Sequence, residues 1–364
     1  MTTSNLSSSD SNKNYIPVLD ISPIFYSNNE IAEDTKKEQT LTCLVRQVAF
    51  AMENVGFLQI SNHNFPSDQC TEISKVQKEY FSLSNTEKNK IMMTPEYPYG
   101  YECNEILSVS FDEKDENKGH DNVLKKHINF KSRQKDSKET FQVCLSEYYS
   151  GVFEPKIPKK PEKMGEILKS YYNSMCILSL KLMELFALAL NLPRDFFDNK
   201  VDRHQSSLRL LNYPAIQYST DDSNELLKTT KIRASEHSDF GVFTILMQDE
   251  NGGLQVRRSE DFERSSVWED VEPLKNHFVV NIGDLMMRWT NDRWKSTVHR
   301  VVVKKKTFHK TRQSVAFFFN ANADAIIETI DSCCLDRENK YDMVIAGQYL
   351  MTKHWSTVNG KKAA

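Results

Sequence analysis

Ala234-Ser-Glu-His-Ser-Asp-Phe-Gly-Val-Phe-Thr-Ile-Leu-Met-Gln-Asp-Glu-Asn-Gly-Gly-Leu-Gln-Val256 holds two short apolar runs on either side of the turn signal Asn251-Gly-Gly253. Each run has strand length and is closed by turn residues, so both read as β-strands. The pattern continues in both directions. Runs of the same kind fall at 207–213, 232–237, 241–248, 253–258, 266–270, 277–282, 298–304 and 312–319, with Glu272-Pro273 and Gly283-Asp284 among the turn signals between them. Many short strands at close spacing predict a sandwich or jelly roll that closes its own edges.

Upstream of residue 205 the period changes. Leu41, Leu44, Val45, Val48, Ala49 and Met52 recur at helical spacing within Glu38–Asn54, and Gly56 follows as a stop. Phe57-Leu-Gln-Ile60 reads as a strand, and a second helix is expected from Ser67 to about Leu83. A long helix is expected from Pro161 to Asn191, its buried face marked by Met164, Ile167, Leu168, Tyr171, Met175, Leu178, Leu182, Leu185 and Phe186. The charged stretch 105–140 suits a long surface excursion, and Tyr97, Tyr99 and Tyr101 flank Gly100 in a loop. Neither a linker nor an internal repeat interrupts the chain. The expected organisation is a disordered leader at 1–14 and a single domain over 15–364. That domain divides into a mainly helical region (15–204), a β-rich core (205–325) and a C-terminal helical segment (326–364).

The chain has 364 residues, with Lys+Arg 47 against Asp+Glu 50 and a formal charge of -3. That balance supplies no electrostatic footprint for nucleic acid. The longest apolar stretch, near Ile177 to Leu192, is interrupted by Lys181 and Glu184, so a buried helix is expected and no membrane span. Seven scattered cysteines without a C-x-x-C pair point to reduced thiols and a cytoplasmic location. Nothing in the composition implies a protein partner.

In an extended chain His237 and Asp239 point to one face and can converge on one ion. By itself His-x-Asp is weak. A second imidazole is available at His299, where a strand resumes after the polar turn around Asn291-Asp-Arg293. Two histidines and a carboxylate with open positions suit iron(II). Arg312 and Ser314, again two apart, place a guanidinium fork beside a hydroxyl, a good receptor for a carboxylate. Phe317-Phe-Phe319 reads as core strand rather than as a stacking surface.

The ordered set of His-x-Asp, His299-Arg-Val301 and Arg-x-Ser resembles the iron(II)/2-oxoglutarate-dependent dioxygenase superfamily, and within it the isopenicillin N synthase-like branch. The resemblance covers nearly the whole chain. It includes Ile16-Pro-Val-Leu-Asp20, Asn54-Val-Gly-Phe-Leu58, Leu208-Arg-Leu-Leu-Asn-Tyr-Pro214, Asn281-Ile-Gly-Asp-Leu285 and Ala346-Gly-Gln-Tyr-Leu350. The fold it implies is α+β, a double-stranded β-helix (jelly roll) core with a helical N-terminal half packed against it. It further implies His237, Asp239 and His299 as iron ligands. Arg312 and Ser314, with Tyr213, would grip the distal carboxylate of 2-oxoglutarate. Dioxygen would be the oxidant, a small organic molecule the substrate, and succinate and carbon dioxide the co-products.

Two departures stand out. The interval from His299 to Arg312 is longer than the family's usual one, as though a hairpin turn had been extended, and Leu211 stands where the family often has Asn. Three other readings stay open at this point: an iron oxidase of the same fold that spares 2-oxoglutarate, a zinc hydrolase on the same ligands, and a non-catalytic binding protein.

Overall fold

The computed structural model describes residues 15–94, 97–103, 136–149, 154–216, 231–258, 267–335 and 337–359. The expected leader at 1–14 lies outside them, as does the larger part of the expected excursion, 105–135. The helices are α1 (Asn28–Glu33), α2 (Thr35–Asn54), α3 (Ser67–Ser82), α4 (Asn85–Lys88), α5 (Met164–Ala189), α6 (Asp198–Val201), α7 (Asp284–Trp289) and α8 (Ala346–Asn359). The first strands are β1 (Val18–Asp20), β2 (Phe57–Ser61), β3 (Gly100–Cys103), β4 (Glu139–Val143) and β5 (Ser207–Tyr213). They are followed by β6 (Ile232–His237), β7 (Phe243–Gln248), β8 (Leu254–Arg257), β9 (Trp268–Asp270) and β10 (Phe278–Ile282). The last are β11 (His299–Val302), β12 (Arg312–Phe319), β13 (Ile326–Ile327) and β14 (Val344–Ile345).

Two sheets face one another. The larger has the order β1-β2-β10-β7-β12-β5-β4-β3 and the smaller β6-β11-β8-β9. Because side chains alternate along a strand, β5 and β12 each serve two compartments. Leu211, Tyr213 and Ala316 pack between the sheets with Val256, Val279 and Val301. Leu208, Leu210, Val315, Phe317 and Phe319 point the other way, onto the helices.

The helices bury their apolar stripes against that outer face. In α2 the buried residues are Leu41, Leu44, Val48, Ala51 and Met52, and the helix starts earlier than predicted because the Asp34 side chain accepts from the Lys36 N–H. Gly56 turns the chain into β2 at a φ of +72°, with the Lys295 carbonyl so close that a Cβ would meet it at 2.1 Å. Among the described residues one helix, Met164–Ala189, is long and apolar enough to cross a membrane. Its residues Leu168, Met175, Leu182 and Phe186 lie fully in the core, as the period predicts, while Ile167 is only half-buried.

Three expectations are corrected. Most of 136–140 is not surface: Asp136, Lys138, Glu139 and Thr140 are buried, with only Ser137 exposed, and β4 runs as an inner strand of the large sheet. Their charges are accommodated by partners, Lys88 with Glu139 and Lys138 with Asp136. Gly100 and Tyr101 belong to the edge strand β3 rather than a loop, and the Tyr101 hydroxyl donates to Glu139. The third concerns the long interval between His299 and Arg312. β11 and β12 lie in different sheets, so this is a crossing between sheets and not an extended hairpin. Turn bonds at Thr307 and Lys310 absorb the added length, leaving β12 in register with β5. The helical front half also contributes β1 to β4 to the large sheet.

Candidate metal centre and co-substrate site

His237 is the last residue of β6 and His299 the first of β11, and the two face each other directly across that antiparallel pair. Their ring centroids are 4.3 Å apart. Asp239 lies two residues beyond β6, in the link to β7, where its carbonyl accepts the Asp284 N–H at 2.7 Å. Its Oδ1 is 4.0 Å from His237 Nε2 and 3.7 Å from His299 Nε2. One ligand atom from each of the three falls within 4.8 Å of the others.

The remaining polar atoms of the trio are occupied. The His237 Nδ1–H donates to the Ser235 carbonyl at 2.7 Å and the His299 Nδ1–H to the Thr297 carbonyl at 3.1 Å. Both rings therefore turn Nε2 inward, and in the neutral imidazole this is the tautomer a metal requires. Asp239 Oδ2 accepts from the Thr244 hydroxyl at 2.6 Å and from the Asn281 amide at 2.7 Å, which leaves Oδ1 for an ion. Metal bonds to such ligands run about 2.0–2.2 Å, so donors up to ~4 Å apart can share one ion. The donor set fits iron(II).

The electrostatics agree. Burial, and then the neighbouring His299, hold the His237 pKa down to about 4 against the pull of Asp239. Burial pushes the Asp239 carboxyl up, but His299, His237 and the bonds from Asn281 and Thr244 outweigh it and hold the pKa below the usual value. The site is poised as neutral imidazole and carboxylate, ready for a cation.

Arg312, Ser314 and Tyr213 also come together. Arg312 is the register partner of Tyr213 across β12 and β5, and its guanidinium carbon lies 4.9 Å from the centre of that ring. Arg312 Nε donates to the Gly252 carbonyl at 2.7 Å, Nη1 to the Ser314 hydroxyl at 3.2 Å, and Nη2 to the Gln248 Oε1 at 3.5 Å. Leu211, where a polar side chain was to be expected, packs into the apolar layer between the sheets.

Three supporting residues escaped the sequence reading. Thr244, just downstream in β7, and Asn281, from the sequence-distant β10, orient Asp239. Asn281 had been noted only as part of a matching stretch, with no role attached. Gln77 of α3 is buried and donates its side-chain amide to the carbonyls of Leu211 and Ser314 at 2.9 and 3.0 Å. A glutamine on an otherwise apolar helix stripe is the only signal that such a residue could give.

Residues 205–321 match the model of the 2OG-Fe(II) oxygenase superfamily, and residues 16–146 that of the non-haem dioxygenase in morphine synthesis N-terminal region. The chain is 30% identical over 322 residues to a 2-oxoglutarate-Fe(II) type oxidoreductase, hxnY, of Emericella nidulans, covering 87% of this chain and 83% of that protein. It is 28% identical over 350 residues to a homoarginine-6-hydroxylase of Oryza sativa subsp. japonica, covering 93% and 96%. A full-length Neurospora crassa protein, solved in complex with alpha-KG and thymine, superposes with a TM-score of 0.75 at 26% identity, covering 96% of this chain and 99% of that one. The chain belongs to the 2OG-Fe(II) oxygenase superfamily and is an oxidoreductase of the dioxygenase class, using iron(II), 2-oxoglutarate and dioxygen to oxidise a small molecule.

Proposed function

We propose that His237, Asp239 and His299 hold the iron and that Arg312, Ser314 and Tyr213 hold the distal carboxylate of 2-oxoglutarate. The observation that carries this reading is the state of Arg312. Its side chain is 1% exposed, and its three hydrogen-bond partners are neutral oxygens, with no carboxylate among the described residues. A buried, uncompensated cation costs several kcal/mol. A carboxylate docked on the fork removes that cost and gains charge-assisted bonds.

When bound, iron couples the decarboxylation of 2-oxoglutarate, to succinate and carbon dioxide, with oxidation of the second molecule by dioxygen. The protein's own share is orientation. Thr244 and Asn281 keep Asp239 Oδ1 turned inward, the Ser235 and Thr297 carbonyls keep both Nε2 atoms inward, and Gln77 ties β5 to β12 behind the carboxylate clamp.

The prime substrate has its place toward the other end of the same strands. Phe318, Arg209 and Gln142 are half-buried, whereas Phe317 and Phe319 are buried in the core as read from sequence. The Arg209 guanidinium carbon is 5.6 Å from the Phe318 ring centre, and Arg209 Nε donates to Gln142 Oε1 at 2.5 Å. Phe318 is the register partner of Thr244, which bonds Asp239. A ring over a guanidinium beside the metal centre suits a flat small molecule bearing a carbonyl or carboxylate, to be hydroxylated, desaturated or cyclised. The continuous core, which runs from Leu19 through α5 to Ala346, supports reading the chain from residue 15 onward as one catalytic domain. Seven free cysteines support a cytoplasmic location.

The test is an oxygen-free titration of metal-free protein with iron(II) and then 2-oxoglutarate, followed in the visible range. A charge-transfer band that requires both additions, is absent in His237→Ala and needs more 2-oxoglutarate in Arg312→Ala is the expected result. Iron binding without the band would overturn the co-substrate assignment. In Phe318→Ala, the yield of oxidised product per succinate should fall while 2-oxoglutarate binding holds.

A further inference from the structure

Asp136 lies in the stretch that the sequence reading gave to the surface, yet it is 2% exposed and touches the strand that carries His237. Its Oδ1 accepts two bonds from one residue, the Ser235 N–H at 2.9 Å and the Ser235 hydroxyl at 2.7 Å. Its Oδ2 faces the Lys138 ammonium at 3.1 Å. The carbonyl of that same Ser235 accepts the Nδ1–H of His237.

The two histidines are held very differently. His299 sits on β11, an inner strand paired with both β6 and β8. Among the described residues, His237 sits on an edge strand of the small sheet, β6. Moreover, the β6–β11 register is irregular there. His237 pairs with His299 and Ala234 with Val301, so that Ser235 and Glu236 together oppose the single residue Arg300. A bulge re-aims the side chains beside it and gives up regular ladder bonds. On an edge strand the ladder resists a slip from one side only, and a one-residue slip would turn His237 to the other face.

We propose that Asp136 is a positioning residue for the metal centre. It clamps the bulge at Ser235 and thereby fixes the tautomer and direction of the His237 ring. This rests on the assignment of His237 as a ligand. The Asp136 carboxylate replaces the missing ladder partner of the edge, and Lys138 makes its burial tolerable. A merely structural tie between β4 and β6 would not require a two-point grip on the residue whose carbonyl orients the imidazole.

Asp136→Ala alone would also take a carboxylate partner from the buried Lys138 ammonium, so the informative variants pair it with Lys138→Met. Asp136→Ala/Lys138→Met should bind iron(II) about ten- to a hundredfold more weakly than the parent in an oxygen-free titration. Asp136→Asn/Lys138→Met keeps an acceptor for Ser235 and should recover most of that affinity. Parent-like iron affinity in the Ala pair overturns the proposal. So does equal weakening in both pairs, because the acceptor would then be irrelevant. If the Ala pair does not fold, Asp136→Glu takes its place: it keeps the charge, shifts the acceptor by one methylene, and must weaken iron binding without lowering the melting temperature of the metal-free protein in proportion. His237→Ala in the same titration separates the two levels. Unchanged iron binding there refutes the ligand assignment and the proposal with it, whereas loss there beside a parent-like Ala pair refutes the role of Asp136 alone.

Discussion

The Arg312 guanidinium stands over the Tyr213 ring at 4.9 Å, each residue opposite the other across β12 and β5. The aromatic face contributes cation–π attraction but no counter-charge. Arg312→Met should therefore act in opposite directions on two measurements. Removing a buried, unpaired cation is neutral or stabilising for the free protein, so its urea midpoint should hold or rise. Losing one partner of a buried charge pair costs about 2–5 kcal/mol, so the apparent affinity for 2-oxoglutarate should drop by at least ~30-fold. Arg312→Lys should recover little of it, because an ammonium cannot reproduce the two-point fork. Isothermal titration and urea unfolding check both halves. A fall in stability together with unchanged affinity would refute the account.

Asp239 offers Oδ1 inward only because Thr244 and Asn281 occupy Oδ2. Asn281→Leu should leave the carboxylate free to rotate. The expected result is a ten- to hundredfold loss of iron affinity, the usual scale for partners of metal ligands. Thr244→Val should do the same to a smaller extent. With saturating iron, turnover should return toward the parent value in both variants. Parent-like iron affinity in the Asn281 and Thr244 double variant would count against this role.

Acid should weaken the metal-free fold. Burial first, and then His299, hold the His237 pKa down to about 4 from 6.5, and burial holds that of His204 down to about 4 as well. Both rings are neutral in the fold, while in the unfolded chain they take up protons near 6.5. Lowering the pH thus favours the unfolded state. Their contribution is complete above 6.5, declines between 6.5 and about 4, and is gone below that. Urea unfolding at stepped pH should show the midpoint falling across this window and levelling off below about 4. His204→Phe should flatten part of the slope, since the His204 Nδ1 has no partner to lose. A flat profile in the parent would contradict both assignments.

What the sequence disclosed and what it withheld divide along physical lines. The strand runs were legible because alternation is local, and His237 with Asp239 because two residues in extended chain share a face whatever surrounds them. Arg312 and Ser314 were legible for the same reason. Asn281 and Gln77 were not, because each acts on a residue far away in sequence, and Thr244, only five residues from Asp239, was not because a threonine in a strand has no pattern of its own. Asp136 and Lys138 to Thr140 were misread because charge density ordinarily signals solvation; here α4, β5 and β6 bring partners that no local pattern reveals. The link from His299 to Arg312 was misread because neighbours in sequence were assumed to be neighbours in a sheet, whereas the jelly roll sends them to opposite ones.

Glu139 is the most consequential of those misread residues. It sits on β4 between Lys88 of α4 and Asn212 of β5, accepting from the Lys88 ammonium at 2.7 Å, the Tyr101 hydroxyl at 2.6 Å and the Asn212 amide at 2.9 Å. Asn212 in turn accepts from Gln313 at 2.9 Å, beside both Tyr213 and Arg312. The side chains of the pair are only 6% and 11% exposed, so neither charge is relieved by water. Glu139→Ala leaves the ammonium alone and should cost about 3–5 kcal/mol, read as a lower urea midpoint. Lys88→Met with Glu139→Gln removes both charges and keeps an acceptor for Tyr101 and Asn212, so most of that loss should disappear. If the pair variant is as unstable as Glu139→Ala, the cost lies in packing rather than in the stranded charge. If Glu139→Ala is as stable as the parent, the buried network contributes nothing to the fold.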